Sequence, residues 1–340
     1  MTVPPQVETP TEANMSEINY SKAINQALAE EMRRDSRVWM MGQDIGRMGG
    51  VFGVTKGLFD EFGPDRVRDT AINETFIVGG AVGAAMSGTI PIVELQFADF
   101  LFIAGDEIFH KMAKWRYVHG GQISLPMVVR LPTGVLGGVG AEHSQSLEAI
   151  CMHVPGLKVV MPSNPADAKG LLKTAIRDPN PVLFFEHKGL YRQKGLVPDD
   201  VDFTIPFGES AIRRRGNDVT VVATGMMVDR ALEAAQRVVE LGIDVEVIDP
   251  RTLVPLDIDT IIRSVERTGR ALIVEEGVRT AGVGAEISSQ IHEAAFFALE
   301  APVWRLGGTD TPIPQDPILE QLCIPQTESI VNALIALRSI

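Results

Sequence analysis

The sequence predicts an α/β protein of two domains, each a mostly parallel sheet flanked by helices. Three observations carry this expectation. A chain of 340 residues is too long for one ordinary core. Short apolar, β-branched runs alternate with helix-length amphipathic stretches, as parallel strands joined by helical crossovers require. The alternation breaks between Gly195 and Gly216, where Pro198, Pro206, an acidic cluster and Arg213 to Arg215 mark a linker. The expected layout is a disordered Pro/Thr/Glu-rich tail over 1–15, a first domain over 16–195, a linker over 196–216 and a second domain over 217–340.

Taken in order, Ser21 is placed to cap a helix whose apolar face is Ala23, Ile24, Ala27, Leu28 and Met32, followed by a strand from Val38 to Met41. A glycine-rich loop runs from Gly42 to Gly57, and with no GK[ST] after it this is not a phosphate loop. Residues 75–93 carry no charge, a length that raises a membrane span. Gly79, Gly80, Gly83, Gly88 and Pro91 argue against one. They divide the run into a helix from Thr75 to Met86, a turn at Ser87-Gly88 and a buried strand from Pro91 to Leu95. The small residues let another backbone approach that helix.

Phe97 to Val118 reads as one amphipathic helix and Met127 to Leu131 as a strand. A loop with five glycines or prolines then leads to His143, and loops of this kind inside a compact domain are usually functional. Leu157–Met161 and Pro181–Glu186 are strands, with a helix from Pro165 to Ile176 capped by Ser163 between them. The second half continues with strands near Val219–Ala223, Val245–Ile248, Ala271–Val274 and Val303–Leu306. Helices are expected near Val228–Leu241, Asp257–Arg267, Val283–Ala298, Asp316–Cys323 and Thr327–Leu337. Nothing in that half reads as catalytic; it is scaffold and interface.

Composition narrows the function. Hydrophobic content of 45% and charged content of 22% are those of a soluble globular protein. A net charge of −13 argues against nucleic acid or an anionic membrane as partner. The polar start of the sequence, MTVPPQVETPTEAN, is not expected to be a signal peptide. Cys151 and Cys323 lack ligand-like spacing and suggest free thiols in a reducing, cytoplasmic compartment. The six histidines form no HExxH or HxxxH pair, so no zinc site is expected.

Three features bear on chemistry. Glu74 stands at the start of the uncharged helix, where it either favours the helix dipole as a capping carboxylate or, if buried, needs a partner. His143, after the glycine loop, is either a structural histidine or a proton carrier, since imidazole alone titrates unperturbed near neutral pH. AIRDPNP, from Ala175 to Pro181, is on its own terms a helix end.

The order of RDTAINE, the Gly/Ala helix, ELQFADF, AEHSQSLEA, PGLKVV, DAKGLLKTAIRD, VEEG, GVGAEI and IPQ changes these odds. From about Ser16 to Ile340 the chain resembles the β chain of the thiamine-diphosphate-dependent, decarboxylating (E1) component of 2-oxo acid dehydrogenase complexes and its acetoin-cleaving relatives. The resemblance implies a transketolase-like pyrimidine-binding domain and a transketolase C-terminal domain. It implies that Glu74 hydrogen-bonds N1′ of the cofactor aminopyrimidine and so promotes loss of the thiazolium C2 proton. Gln96 and Phe100 would contact the same cofactor, and His143 would move a proton as the acyl unit passes to a lipoyl arm. A structural potassium ion is implied at Met127, Ala175, Ile176, Asp178 and Asn180, whose oxygens suit such an ion.

Two departures from the family pattern stand out. Glu142 replaces the usual glutamine and puts a carboxylate beside His143, which would favour its protonated form. Ala71 replaces the usual proline of the DTPI turn. The chain also has no GDG, the motif that, with a later asparagine, holds magnesium and the diphosphate. It therefore offers the pyrimidine half of a cofactor site. The resemblance implies an α subunit carrying GDG…N, magnesium held there, an α2β2 heterotetramer and a lipoyl-bearing acyltransferase partner. KWRYVHGG and EHSQSLEA lean toward the acetoin branch. Three alternatives stay open: a carboligase or diketone-cleaving enzyme of the same architecture without a lipoyl acceptor, a stand-alone transketolase-like enzyme, and a non-catalytic scaffold subunit.

Overall fold

The computed structural model describes residues 14–340, so the expected tail lies outside the described residues except for Asn14 and Met15. The described residues form fourteen strands and three sheets. In chain order the first strands are β1 (Met15–Asn19), β2 (Val38–Gly42), β3 (Val67–Asp69), β4 (Ile90–Glu94) and β5 (Val128–Thr133). They are followed by β6 (Lys158–Val160), β7 (Val182–His187), β8 (Lys194–Pro198), β9 (Ala211–Arg214) and β10 (Val219–Ala223). The last are β11 (Val245–Asp249), β12 (Thr252–Val254), β13 (Ala271–Val278) and β14 (Trp304–Gly308).

The large sheet has the order β12-β6-β7-β5-β4-β2-β3, parallel except for β12, which joins β6 antiparallel. The second has the order β14-β13-β10-β11-β9, parallel except for the β9 edge. β1 and β8 pair antiparallel as a separate ribbon. Central strands such as β4, β5, β7, β10 and β11 are buried along their whole length, as a sheet covered on both faces demands. One apolar cluster runs from Val82, Leu101 and Val129 of the first half to Ile261, Ile273 and Ile287 of the second. Each such buried side chain contributes about 2 kcal/mol of transfer free energy.

The eleven α-helices are α1 (Tyr20–Arg34), α2 (Leu58–Phe62), α3 (Glu74–Met86), α4 (Ala113–Val118), α5 (Glu148–Met152) and α6 (Pro165–Arg177). They continue with α7 (Met227–Val238), α8 (Ile258–Thr268), α9 (Val283–Ala295), α10 (Pro317–Leu322) and α11 (Thr327–Arg338). Two expected caps move by one or two residues. Asn19 caps α1 by accepting from Lys22 N at 2.8 Å, in place of Ser21. Asn164 caps α6 by accepting from Asp167 N at 3.0 Å, which frees the Ser163 hydroxyl to donate to Asp249 at 2.5 Å. The stretch read as one helix from Phe97 to Val118 is a 3-10 turn (Ala98–Phe102), a π turn (Glu107–Met112) and α4. Thr75 Oγ1 donates to the Ile103 carbonyl at 2.8 Å, where a continuous helix would need that acceptor for itself. The stretch expected as linker contributes the end of β8 and all of β9, and β12 returns from the second half to the edge of the first sheet. Among the described residues, no helix is long and apolar enough to cross a membrane.

Candidate active site

The site is built at the carboxyl ends of parallel strands, the position where open α/β sheets bind ligands. Glu74 follows β3, Gln96 and Phe100 follow β4, the glycine loop to His143 follows β5, and Lys188 follows β7.

Glu74 is the first residue of α3 and only 7% exposed. The capping task falls to Asn73, whose side chain accepts from Phe76 N at 2.9 Å. Among the described residues, no hydrogen bond reaches the Glu74 carboxylate. Its carboxyl oxygens are not enclosed by the chain, so they face the cleft and are open to a group from outside it. The residue therefore fits a group that brings a ring nitrogen to it. The small-residue face of α3 is only partly covered: Gly79 faces the Glu107 carboxyl, while a Cβ at Gly83 would meet open space.

The Thr75 bond to Ile103 locks this helix start against the 3-10 turn that carries Phe100. The half-buried Phe100 ring packs edge-on against Phe97 (5.8 Å between centroids) and against the His143 imidazole (5.6 Å). Phe97 approaches the same imidazole more closely, at 4.5 Å. The structure thus brings Phe100 and His143 into one cluster, with the start of α3 fastened beside it. Gln96 is half-buried next to Phe97. Glu142 is exposed and, among the described residues, holds no hydrogen bond to the imidazole.

Sequence reasoning missed the groups that hold this loop. Asp99 Oδ1 accepts from Gln145 N at 3.2 Å and Gln145 Nε2 at 2.9 Å, tying the 3-10 turn to the loop. Lys188 donates to the His143 carbonyl at 2.5 Å and lies 5.4 Å from the Phe97 ring centre. Burial pulls the Lys188 ammonium down to about 8, against the opposing pull of Asp99, Glu276 and Glu320. From the second half, Glu276 accepts from Val135 N at 2.8 Å and pairs with His187 at 2.7 Å. Burial alone would raise the Glu276 carboxyl, but His187 and the Val135 N–H hold it below the ordinary value. Glu320 accepts from Gly137 N and Gly138 N, each at 2.8 Å. Gly134 allows this packing: it adopts a positive φ, and a Cβ there would strike His187 and Glu276. No local sequence signal announces these long-range partners; the VEEG run, which contains Glu275 and Glu276, carries the family resemblance without marking a role for either.

The residues assigned to potassium stand elsewhere, at the amino ends of β5 and β7. The Met127 carbonyl accepts from Val182 N at 3.0 Å and the Ala175 carbonyl from Asp178 N at 3.3 Å. Asp178 pairs with Lys158 and accepts from Asn180 N at 2.8 Å, and the Asn180 oxygen accepts from Arg116 at 2.5 Å. The carboxyl end of α6, where Ala175 and Ile176 lie, is the end of the helix dipole that favours a cation, and in this structure Lys158 and Arg116 supply the positive charge held by the Asp178 and Asn180 oxygens.

Fold and site together define a transketolase-type protein offering the pyrimidine side of a cofactor cleft. The family description "Transketolase, pyrimidine binding domain" matches residues 16–194, and "Transketolase, C-terminal domain" matches 208–330. The chain is 47% identical over 324 residues to the 2-oxoisovalerate dehydrogenase subunit beta of Bacillus subtilis, covering 94% of this chain and 98% of that one. It is 46% identical to the acetoin:2,6-dichlorophenolindophenol oxidoreductase subunit beta of Cupriavidus necator (93% and 96% covered). It is 44% identical to the pyruvate dehydrogenase E1 component subunit beta of Rhizobium meliloti (98% and 72%). A solved structure described as a split gene transketolase, inactive beta4 tetramer, shares the fold at a TM-score of 0.76 and 24% identity, covering 95% of this chain and 98% of that one. The chain belongs to the β subunits of the thiamine-diphosphate-dependent E1 components of 2-oxo acid and acetoin dehydrogenase complexes.

Proposed function

We propose that this chain acts as the β half of a heteromer with an α subunit that carries the GDG…N motif and holds magnesium and the diphosphate. The observation that carries this reading is a division of labour: the unpartnered Glu74 and the Phe97–Phe100–His143 cluster are present, while the sequence contains no GDG. Thiamine diphosphate, when bound, supplies the thiazolium carbon that cleaves a C–C bond next to a carbonyl. This chain's part is to hold and protonate the aminopyrimidine nitrogen through Glu74, to pack its ring with Phe100 and Gln96, and to keep water out with the aromatic cluster.

His143 stands at the mouth of the loop and moves a proton while the acyl unit passes to a lipoyl arm of an acyltransferase partner. The substrate is a 2-oxo acid or acetoin, the assembly is α2β2, and the compartment is the cytoplasm. A potassium ion at Met127, Ala175, Ile176, Asp178 and Asn180 has a structural role only, far from the reacting atoms. Co-expression tests the reading. A GDG-bearing chain that co-purifies and gives activity only in the mixture supports it; full turnover by this chain alone contradicts it.

A further inference from the structure

A cavity of about 460 Å³ lies between the two sheets, lined by the stretch after His143, by the end of β13 and by the loop after β14. Its walls are largely apolar, with Leu147, Val278, Ala281, Pro312 and Ile324. Its floor is acidic. Glu148 is 1% exposed and neither carboxyl oxygen has a hydrogen-bond partner. Glu275 accepts from Gly284 N at 3.0 Å with one oxygen, while its second oxygen is unpartnered. Glu276 also lines the cavity but is already paired with His187. Exposed apolar side chains, Ile150 and Val278, stand at the rim.

Both oxygens of Glu148 and the second oxygen of Glu275 lack a donor, and Arg305, which lies beside Glu275, donates to the Arg279 carbonyl instead. A compact metal ion is a poor fit, because among the described residues no three acidic, His or Cys side chains converge as a metal site. A guanidinium suits better: its five donors spread over a plane can reach carboxyls that stand apart, and its stem packs on apolar walls. Arginine seated in an apolar pocket is also a common anchor of protein interfaces.

We infer that this cavity is the seat of an arginine side chain of the partner subunit in the heteromer, with Glu148 and Glu275 as its acceptors. The inference rests on the proposed α partner. Without the guanidinium, burial pushes the Glu148 carboxyl up to about 8 and Glu275 up to about 7. Assembly should therefore release a proton and tighten as pH rises from 6 to 8. The groups facing Glu148 are Glu275, Glu276 and the Cys151 thiol, with Arg305 beside Glu275 and His187 and Arg230 beside Glu276.

The test measures heteromer dissociation constants against pH by sedimentation, for wild type, Glu148→Gln and Ile150→Arg. Glu148→Gln should weaken assembly about tenfold or more at pH 8 and flatten its pH dependence. It should leave the melting temperature of the isolated chain close to that of wild type, since a neutral amide replaces a carboxyl that burial already holds protonated near neutral pH. Ile150→Arg, at the exposed rim, offers the pit a guanidinium from within and should weaken assembly without unfolding the chain. Heteromers of wild-type affinity and pH slope from both variants overturn the seat and leave the α–β reading intact. A wild-type chain that forms no heteromer overturns both.

Discussion

At the carboxyl ends of β3, β4, β5 and β7 the first sheet presents Glu74, Phe100, His143 and Lys188. At the end of β13 the second sheet presents Glu275 and Glu276, and Glu276 reaches across to the His143 loop rather than outward. The interiors differ in the same sense. Beneath the first site, Arg130 pairs with both Glu94 and Glu186 across adjacent strands, all three fully or nearly buried, and Tyr191 donates to Glu186 at 2.9 Å. Burial raises the Glu94 carboxyl while Arg130 opposes the rise. The second sheet buries charge as well, along β11, where Glu246 pairs with Arg267 at 2.5 Å and Asp249 with Arg213 at 2.9 Å, but its centre at β10 buries hydroxyls: Thr220 meets Ser264 at 2.6 Å and Thr268 at 2.7 Å. Two sheets of one construction therefore divide the work. The first presents the candidate site residues; the second grips the loop that presents one of them.

Substitutions can break that division, and the largest effect is expected at Glu74. Glutamine fills nearly the same volume but cannot protonate a ring nitrogen. Glu74→Gln should slow C2 proton exchange of thiamine diphosphate in the assembled enzyme by about 10²- to 10⁴-fold, with the melting temperature unchanged. NMR exchange rates decide it; normal exchange with lost stability would return Glu74 to a purely structural role. His143→Ala should leave cofactor binding and assembly intact. Its loss, toward the lower end of that range, should fall on lipoamide-coupled activity, while an artificial electron acceptor is still reduced. Equal loss in both assays would place His143 in the cleavage step.

The two interiors can be compared directly by denaturation. Arg130→Met strands two buried carboxylates and should cost about 3–5 kcal/mol. Thr220→Val removes hydroxyl contacts of the second sheet and should cost about 1 kcal/mol. Equal costs would erase the contrast between the Arg130 and Thr220 clusters.

Much of this was legible in the sequence, for identifiable reasons. Most central strands and long helices are read within a residue or two because full burial leaves unbroken apolar runs and clear caps; β13 is the exception, running four residues past its expected end at Val274 through Glu275 and Glu276. β1, β3, β8, β9 and β12 were missed: they are three to five residues long and lie at edges or in the ribbon, where burial writes no period. Glu74 and His143 stood out as lone polar residues in apolar or glycine-rich surroundings. Lys188, Glu276 and Glu320 did not, because their partners are 45 to 183 positions away.

A smaller effect is expected at the end of α6. Potassium should raise the melting temperature by a few degrees in wild type, and Asp178→Ala should abolish the gain, since a ligand held only by the folded state stabilises it with concentration. Melting curves indifferent to potassium in both proteins would remove the ion from the account.

The central claim is that this chain supplies one half of a shared cofactor site. Calorimetric titration of thiamine diphosphate with magnesium tests it, on the isolated chain and on its mixture with the GDG-bearing partner. The account predicts tight, magnesium-dependent binding in the mixture and none to the chain alone; tight, magnesium-dependent binding by the isolated chain would contradict it.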